Sequence, residues 1–583
     1  MFLRKYLVLI LISVAGLSIY SNFHKNPKDH NETVQMLVPQ PAVSRETMQN
    51  QLKTQTFDVL VIGGGAIGAG TAVDAANRGL KVALVERFDF GSGTSSKSTK
   101  LAHGGVRYLE KAVFNLDRQQ YDLVTEALAE RGHLFQMAPH LVKPLEIITP
   151  IYNWWEVPYY WIGLKCYDWI AGSANIHKSE YVLSSTVVEK IPHIRAEGMK
   201  GGVAYYDGQF NDTRLNISLI ISSVALGATV LNYTEVVHLL RDPDSDQIIG
   251  ATVQNNISNE RFDIHAKVVI NATGPYVDTI RRMDNQNATP LIRASSGTHL
   301  VLDKNLMPSN VGLLVPKTKD GRVIFMLPWE ENVLIGTTDN ATEISDQPLP
   351  DEEDVSYLLS YVNEYLHVSL KPAAIKSAWT GIRPLVQNPN AKDTASVVRD
   401  HFIEQAPSGL LTITGGKWTT FRKMAEDIVN QAAQRLATVN TQASTTQLRL
   451  IGASGYDEAL AKTLASEYQV SLDIAEHLVS SYGSIAQNVL KQGKLKSLNS
   501  KLAENHPIIL AEIEWALAEE MAQKPMDILA RRTRLATLDA RAAQAALPKV
   551  VEMMKEHFGW TSLKAAQEEQ EALLELLPPL QKR

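Results

Sequence analysis

Residues 57–86, FDVLVIGGGAIGAGTAVDAANRGLKVALVE, constrain this chain more than any other stretch. An apolar run over 59–62 is long enough for one buried strand. Gly63, Gly65 and Gly68 follow at G-x-G-x-x-G spacing. An Ala-rich helical pattern comes next, and a second apolar run over 82–85 ends at Glu86. Strand, glycine turn, helix, strand and acid, in that order, is the layout that holds a dinucleotide. Gly63 permits a tight turn, Gly65 lets backbone approach a pyrophosphate, and Gly68 lets the helix pack close to the strand. The helix start offers unpaired N–H groups and partial positive charge to phosphates. Glu86 is placed to accept hydrogen bonds from ribose hydroxyls. A tight βα turn without a ligand would explain Gly68 but not the whole set.

The rest of the chain builds around that unit. Loop 88–111, FDFGSGTSSKSTKLAHGGVRYLEK, follows the acid-tipped strand. Its small hydroxyl residues suit hydrogen bonds to a cofactor and its substrate, a plain linker being the alternative on composition alone. Arg107 and Tyr108 come after a His-Gly-Gly, and an arginine fork matches a phosphate or carboxylate. Residues 115–137 have helical spacing. Residues 144–169 are rich in Trp and Tyr, a pattern that more often marks core than a membrane face or a greasy substrate. Residues 202–237 read as strand, helix, strand, and 252–270 as a hairpin. That hairpin ends at KVVINATGPYVD, where Gly274 lets backbone come close to a bound dinucleotide; Asn271 reads as buried structure and not as a glycan site. Residues 290–385 alternate apolar strands with turns and hold His299 and Arg383, with Arg399 just beyond. They read as an antiparallel sheet over the cofactor. Residues 409–431 give a strand, Gly415-Gly416 and a helix starting near Thr419, a second glycine-led helix N-terminus. After about residue 447, helical patterns dominate and strands are absent.

The expected class is therefore α/β: a Rossmann-type dinucleotide-binding domain, an antiparallel β substrate domain and an α-helical C-terminal cap. The expected boundaries are 1–25, an anchor or targeting segment; 26–55, a flexible linker; 56–446, the oxidoreductase body with its substrate sheet at about 290–400; and 447–583, the cap. Residues 6–20 are uncharged and follow Arg4 and Lys5; fifteen residues is short of the roughly 20 that span a bilayer. A net charge of −6 over 583 residues argues against nucleic acid. The single cysteine, Cys166, excludes an intrachain disulfide and a Cys-based metal site.

Several stretches together carry a family resemblance: VIGGGAIGAGTAVDAANRGL, TSSKSTKLAHGGVRYLE, EALAERGHLFQMAPHL, NATGPYV, SGTHLV, IGTTD, GIRPL, GGKWTTFRKMAE and RRTRLATLD. Over roughly 57–560 the chain resembles the FAD-dependent glycerol-3-phosphate dehydrogenases, membrane-associated flavoenzymes of bacteria and mitochondria. The resemblance implies FAD as cofactor, held by Gly63, Gly65, Gly68, Glu86, Thr94, Ser95, Ser96, Gly274, Gly416 and Thr419. It implies oxidation of sn-glycerol 3-phosphate to dihydroxyacetone phosphate, with hydride transfer to flavin N5 and electrons passed to a membrane quinone. His299 is then the base at the C2 hydroxyl, and Arg383 orients its oxygen. Arg107, Tyr108 and Arg399 contact the phosphate, and Lys417 is shared between substrate and flavin. No metal is implied. The extra N-terminal segment is closer to mitochondrial forms, which places the protein at the inner membrane on the intermembrane-space side, with a bacterial inner membrane as the alternative. The lipid bilayer is then a partner, and homo-oligomerisation stays open. Competing readings are an oxygen-using glycerol-3-phosphate oxidase, an amino-acid oxidase of the same fold, and a silent flavin-binding membrane protein. Three arginines suit a dianionic phosphate better than one carboxylate, and the presence of His299 and Arg383 argues against silence.

Overall fold

The computed structural model describes residues 34–105, 118–316, 318–387, 401–436 and 444–576. Two sheets organise them. The first has eight strands. Its centre is Thr56–Ile62, flanked in parallel by Val82–Val85 and Arg261–Asn271, with Thr229–Leu231 and Leu411–Gly415 further out. Side chains alternate across it with the two-residue period of a strand. Val59, Val61, Val82 and Leu84 face one core with Leu215, Phe421 and Met424. Leu60, Ile62, Ala83 and Val85 face the other with Leu52, Val236 and Leu239. Helices Ala66–Asn77, Asp212–Ala225 and Phe421–Leu436 cover the first face. Antiparallel strands Thr234–Arg241 and Ile248–Asn255, joined to Arg261–Asn271, cover the second.

The second sheet has ten strands. Ile292–Asp303 lies near one end, paired antiparallel with Asn332–Gly336 and Ser377–Val386. The sheet reaches beyond the expected segment of about 290–400, because Val142–Ile151 and Gly201–Phe210 also belong to it. The sequence does give Gly201–Phe210 as a strand, but strand periodicity says nothing of which sheet a strand joins. Helix Glu352–Tyr365 backs this sheet through Val355, Leu358 and Val362.

Beyond residue 459 helices dominate, from Leu460–Tyr468 to Ser562–Leu576. They dock on the body through buried ion pairs. Arg214 meets Glu520 with both oxygens at 2.8 Å, and Asp89 receives Arg531 at 2.6 Å and Arg532 at 2.7 Å.

Three further expectations need correction. Part of the stretch expected as a flexible linker, 26–55, is the helix Arg45–Thr54. Ser44 caps it, Met48 and Leu52 bury one i,i+4 stripe, and Arg45 reaches Asn232. The short apolar stripe and three prolines, Pro27, Pro39 and Pro41, hid it. Strands are not wholly absent after 447: Leu448–Arg449 pairs in parallel with Gln35–Met36. The aromatic stretch is also not mainly core. Trp154, Trp155, Trp161 and Trp169 are 67%, 52%, 42% and 44% exposed along helix Glu156–Ala171 and its approach, while Tyr167 is buried. Asn271 is buried as expected, and its amide donates to the Val277 carbonyl at 2.9 Å. Residues 1–25 lie outside the described residues. Among the described residues, no helix is long and apolar enough to cross a membrane.

Candidate active site

The glycine turn is built as its spacing requires. Gly63 has φ +109°, and a Cβ there would come within 2.7 Å of the Ala272 carbonyl, on the neighbouring strand's end. A Cβ on Gly68 would lie 1.9 Å from the Gly63 carbonyl oxygen, so helix and strand touch through backbone. Gly65 precedes the helix Ala66–Asn77, and the Ala66 N–H donates to Ser95 Oγ at 2.9 Å. Glu86 closes the far side, where its carboxylate accepts from the Gly64 N–H at 2.6 Å and the Phe88 N–H at 2.9 Å. Burial raises the Glu86 carboxyl above its ordinary value, against those two backbone donors.

Hydroxyls of loop 94–99 tie the two sheets together. Thr94 donates to the Ile382 carbonyl at 2.6 Å, and Ser96 bonds within the loop to Gly93 at 3.3 Å. The indole N–H of Trp418 donates to the Ser95 carbonyl at 2.9 Å. This joins the first glycine turn to the second, where Gly415 and Gly416 have φ +85° and +65°. A single turn, Trp418–Thr420, intervenes before helix Phe421–Leu436, so the expected start near Thr419 falls in that turn. Thr419 accepts from the His103 N–H at 3.2 Å. Gly274 has φ +58° and open space where a Cβ would stand.

His299 sits on strand Ile292–Asp303, opposite Gly336 on one side and Trp379 on the other. It is 2% exposed. Its ring stacks on Trp379 at 5.6 Å and 17°, and its Nε2 is 2.9 Å from Thr99 Oγ1. Burial, reinforced by Arg383 and Lys100, holds the imidazole well below its ordinary value and therefore neutral at pH 7. Arg383 lies on strand Ser377–Val386 opposite Ser295. Its guanidinium contacts the Ser296 carbonyl at 3.1 Å, Thr337 Oγ1 at 2.9 Å and Asp339 at 3.2 Å.

One cleft, about 1950 Å³ in volume, joins these parts. Gly63, Gly65, Glu86, Thr94, Ser95 and Ser96 line it. Gly274, His299, Arg383, Gly416, Lys417 and Thr419 line it as well. Gly68 acts from behind, in the packing. The volume is about twice the upper end for a drug-sized site, which leaves room for a dinucleotide and a small substrate together. Two glycine-led helix starts beside it, glycine backbone without Cβ atoms and an acid at the strand tip fit FAD. Arg107, Tyr108 and Arg399 lie outside the described residues.

Sequence reasoning missed Thr99, Lys100, Trp379 and Asp212. Lys100 is 1% exposed and pairs with Asp212 at 2.7 Å, and its ammonium lies 5.1 Å from the Trp379 ring centre. Three of the four stand inside family-like stretches or beside them, which could have flagged them. Asp212 is 112 positions from Lys100, and no local signal connects the two.

Comparison with known proteins agrees with this geometry. Residues 58–422 match the FAD dependent oxidoreductase family, and residues 443–565 match the C-terminal domain of alpha-glycerophosphate oxidase. The mitochondrial glycerol-3-phosphate dehydrogenase of Rattus norvegicus is 43% identical over 580 residues, covering 96% of this chain and 79% of its own length. Its counterpart from Arabidopsis thaliana is 44% identical, covering 92% and 88%. The glycerol-3-phosphate dehydrogenase of Bacillus halodurans, complexed with FAD, superimposes with a TM-score of 0.76 at 29% identity, covering 92% of this chain and 97% of that one. With its dinucleotide fold, its helical C-terminal domain and this level of identity, the chain belongs to the family of FAD-dependent glycerol-3-phosphate dehydrogenases.

Proposed function

We propose that this protein oxidises sn-glycerol 3-phosphate to dihydroxyacetone phosphate and passes the electrons to a membrane quinone. The observation that carries the reading is the single cleft in which a neutral, buried His299 and the Arg383 guanidinium stand on adjacent strands across from two glycine-led helix starts. When bound, FAD supplies the two-electron acceptor for the hydride of C2. His299 takes the C2 hydroxyl proton, a role suited to an imidazole that is uncharged before the reaction. Arg383 stabilises negative charge as it grows on the C2 oxygen, and its existing bonds to Ser296 and Thr337 hold the fork in place. Gly63, Gly65, Gly68 and Glu86 bind the adenosine diphosphate half of the cofactor. Thr94, Ser95, Ser96, Gly274, Gly416 and Thr419 hold the rest. Arg107, Tyr108 and Arg399 bind the substrate phosphate, with Lys417 shared between substrate and flavin.

The acceptor reading draws support from helix Glu156–Ala171. Tyr159 and Tyr160 line the cleft, while Trp154, Trp155, Trp161 and Trp169 present exposed rings on the same segment. Lys200 lies 5.9 Å from the Trp154 ring and Lys165 5.8 Å from the Trp161 ring. Amphipathic aromatics beside cations suit an anionic lipid interface, and a quinone entering from lipid there would meet the cleft. The relatives from rat and Arabidopsis are mitochondrial proteins by name; we place this chain at the inner membrane, facing the intermembrane space.

The test is reoxidation. Detergent-solubilised holoprotein, reduced anaerobically with glycerol 3-phosphate, is mixed with a soluble quinone or with oxygen. Faster return of the flavin band with quinone supports the dehydrogenase. Faster return with oxygen makes the protein an oxidase.

A further inference from the structure

We propose that the Thr99 hydroxyl relays the substrate proton to His299, so that the working acid–base group is the Thr99–His299 pair and not the imidazole alone. The inference rests on the glycerol 3-phosphate reading and deepens it.

The imidazole is enclosed on most sides. Trp379 stacks on one face. Gly336 lies against an edge, where a Cβ would come within 2.2 Å of His299 Cδ2 and 2.8 Å of Nε2. Nδ1 is buried and has no hydrogen-bond partner among the described residues. Nε2 has one, Thr99 Oγ1 at 2.9 Å. Thr99 is only half-buried and lines the cleft. A hydroxyl carries one donor hydrogen and two acceptor lone pairs, so it can receive one proton while it gives up another. His299 borders the cleft too, but its Nε2 faces Thr99 Oγ1, so a proton bound for Nε2 has that oxygen as its neighbour.

The scaffold behind Thr99 is unusually well anchored. Lys100, the next residue, has φ +61°, a left-handed conformation that a non-glycine residue adopts only when its surroundings impose it. Its ammonium bonds Asp212 at 2.7 Å, and the Asp212 side chain is 0% exposed. The Ser98 hydroxyl donates to the same carboxylate at 2.7 Å, and the Lys100 N–H donates to Ser98 Oγ at 2.9 Å. The Lys100 ammonium also faces the Trp379 ring that stacks on His299. One buried ion pair thus sets both the hydroxyl at Nε2 and the ring beneath the imidazole.

The step balances. The O–H bond of the C2 hydroxyl breaks and its proton bonds to Thr99 Oγ. The proton already on Thr99 Oγ moves to His299 Nε2. Threonine ends neutral, histidine ends as imidazolium with its other proton on Nδ1, and the hydride leaves C2 for the acceptor of the dehydrogenase reaction. Imidazolium returns the proton to solvent along the same route after product departs.

The experiment compares wild type, Thr99→Val and Thr99→Ser as holoproteins, by anaerobic stopped-flow reduction with glycerol 3-phosphate. Thr99→Val keeps the shape and removes the hydroxyl; Thr99→Ser restores it. The relay predicts that Thr99→Val slows flavin reduction at saturating substrate by about a hundred- to ten-thousand-fold, the range of general acid–base catalysis. Flavin content and half-saturation stay close to wild type, and Thr99→Ser recovers to within about tenfold. A solvent deuterium effect on reduction, present in wild type, marks the proton transfer in a way that a packing role would not. If Thr99→Val fails to retain FAD, Thr99→Ala takes its place. A bleaching wild type with an equally fast Thr99→Val, or a Thr99→Ser as slow as Thr99→Val, overturns the relay alone. A wild type that glycerol 3-phosphate does not bleach overturns the substrate reading, and the relay with it.

Discussion

Replacing Asp89 with asparagine separates the cap from the cofactor domain at its most enclosed contact. Asp89 follows Glu86 by three residues and is 0% exposed. Its carboxylate receives Arg531 Nε at 2.6 Å, Arg532 Nη1 at 2.7 Å, Arg532 Nη2 at 3.0 Å and Asn232 Nδ2 at 3.0 Å. Burial alone would raise the Asp89 carboxyl; the Arg532 and Arg531 guanidiniums outweigh it and hold the group ionised. Removing one partner from a buried ion pair costs about 3–5 kcal/mol, because the other charge stays buried. Two compensations place Asp89→Asn near the low end. Arg531 keeps Asp527 at 2.5 Å, and Arg532 keeps the Glu520 carbonyl at 2.7 Å. A loss of about 3 kcal/mol is therefore expected. Urea unfolding of the holoprotein, followed by flavin and tryptophan fluorescence, reads it as a lower midpoint at unchanged slope. Because Arg531 also lines the cofactor cleft, flavin should be released in the same early transition. A loss under about 1 kcal/mol, the scale of exposed pairs, would show that water reaches the cluster and would refute the reasoning.

Other perturbations probe other parts of the account. Gly68→Ala places a methyl 1.9 Å from the Gly63 carbonyl and should destabilise by about 1–3 kcal/mol through overpacking, with a lowered flavin content after purification; normal flavin absorbance and an unchanged midpoint would contradict the close helix–strand contact. His140 is held at about 3 by burial first and then by Arg214 and Lys143. The unfolded chain takes up this proton below about pH 6.5 and the folded chain does not, so the stability is complete above pH 6.5 and is lost as pH falls toward the folded value. Between pH 6.5 and 5.5 the loss is about 1 kcal/mol, and His140→Gln should remove that part of the slope; an unchanged slope would mean that the ring protonates in place. Trp154→Ser with Trp161→Ser should weaken cosedimentation with anionic vesicles by roughly tenfold or more, since burying one large apolar side chain contributes about 1.5–3 kcal/mol; equal binding would remove this face from the membrane contact.

How much was legible in the sequence follows from the range of each interaction. The glycine turn, the acid-tipped strand and the second glycine-led helix are local devices, so spacing alone gave Gly63, Gly68, Glu86 and Gly416 in their observed places. His299 and Arg383 were legible through resemblance, but their convergence depends on register: His299 faces Trp379 and Arg383 faces Ser295 across one strand pair. The extension of that sheet to Val142–Ile151 and Gly201–Phe210 is a pairing between distant strands that no window reveals. The same holds for Lys100 with Asp212 and Asp89 with Arg532, pairs 112 and 443 positions apart. Helix Arg45–Thr54 was hidden because only Met48 and Leu52 bury, and its stability comes from docking on the hairpin strands and not from its own composition. The exposed tryptophans of 154–169 were misread because aromatic content does not encode which way a helix faces.

The most direct test of the central claim is a single-turnover comparison of wild type and His299→Ala, both loaded with FAD, on anaerobic addition of glycerol 3-phosphate. The account predicts that wild-type flavin bleaches and dihydroxyacetone phosphate forms in equal amount, while His299→Ala keeps its flavin and reduces it about a hundred- to ten-thousand-fold more slowly. A wild type that stays oxidised, or a His299→Ala protein that bleaches at the wild-type rate, would contradict it.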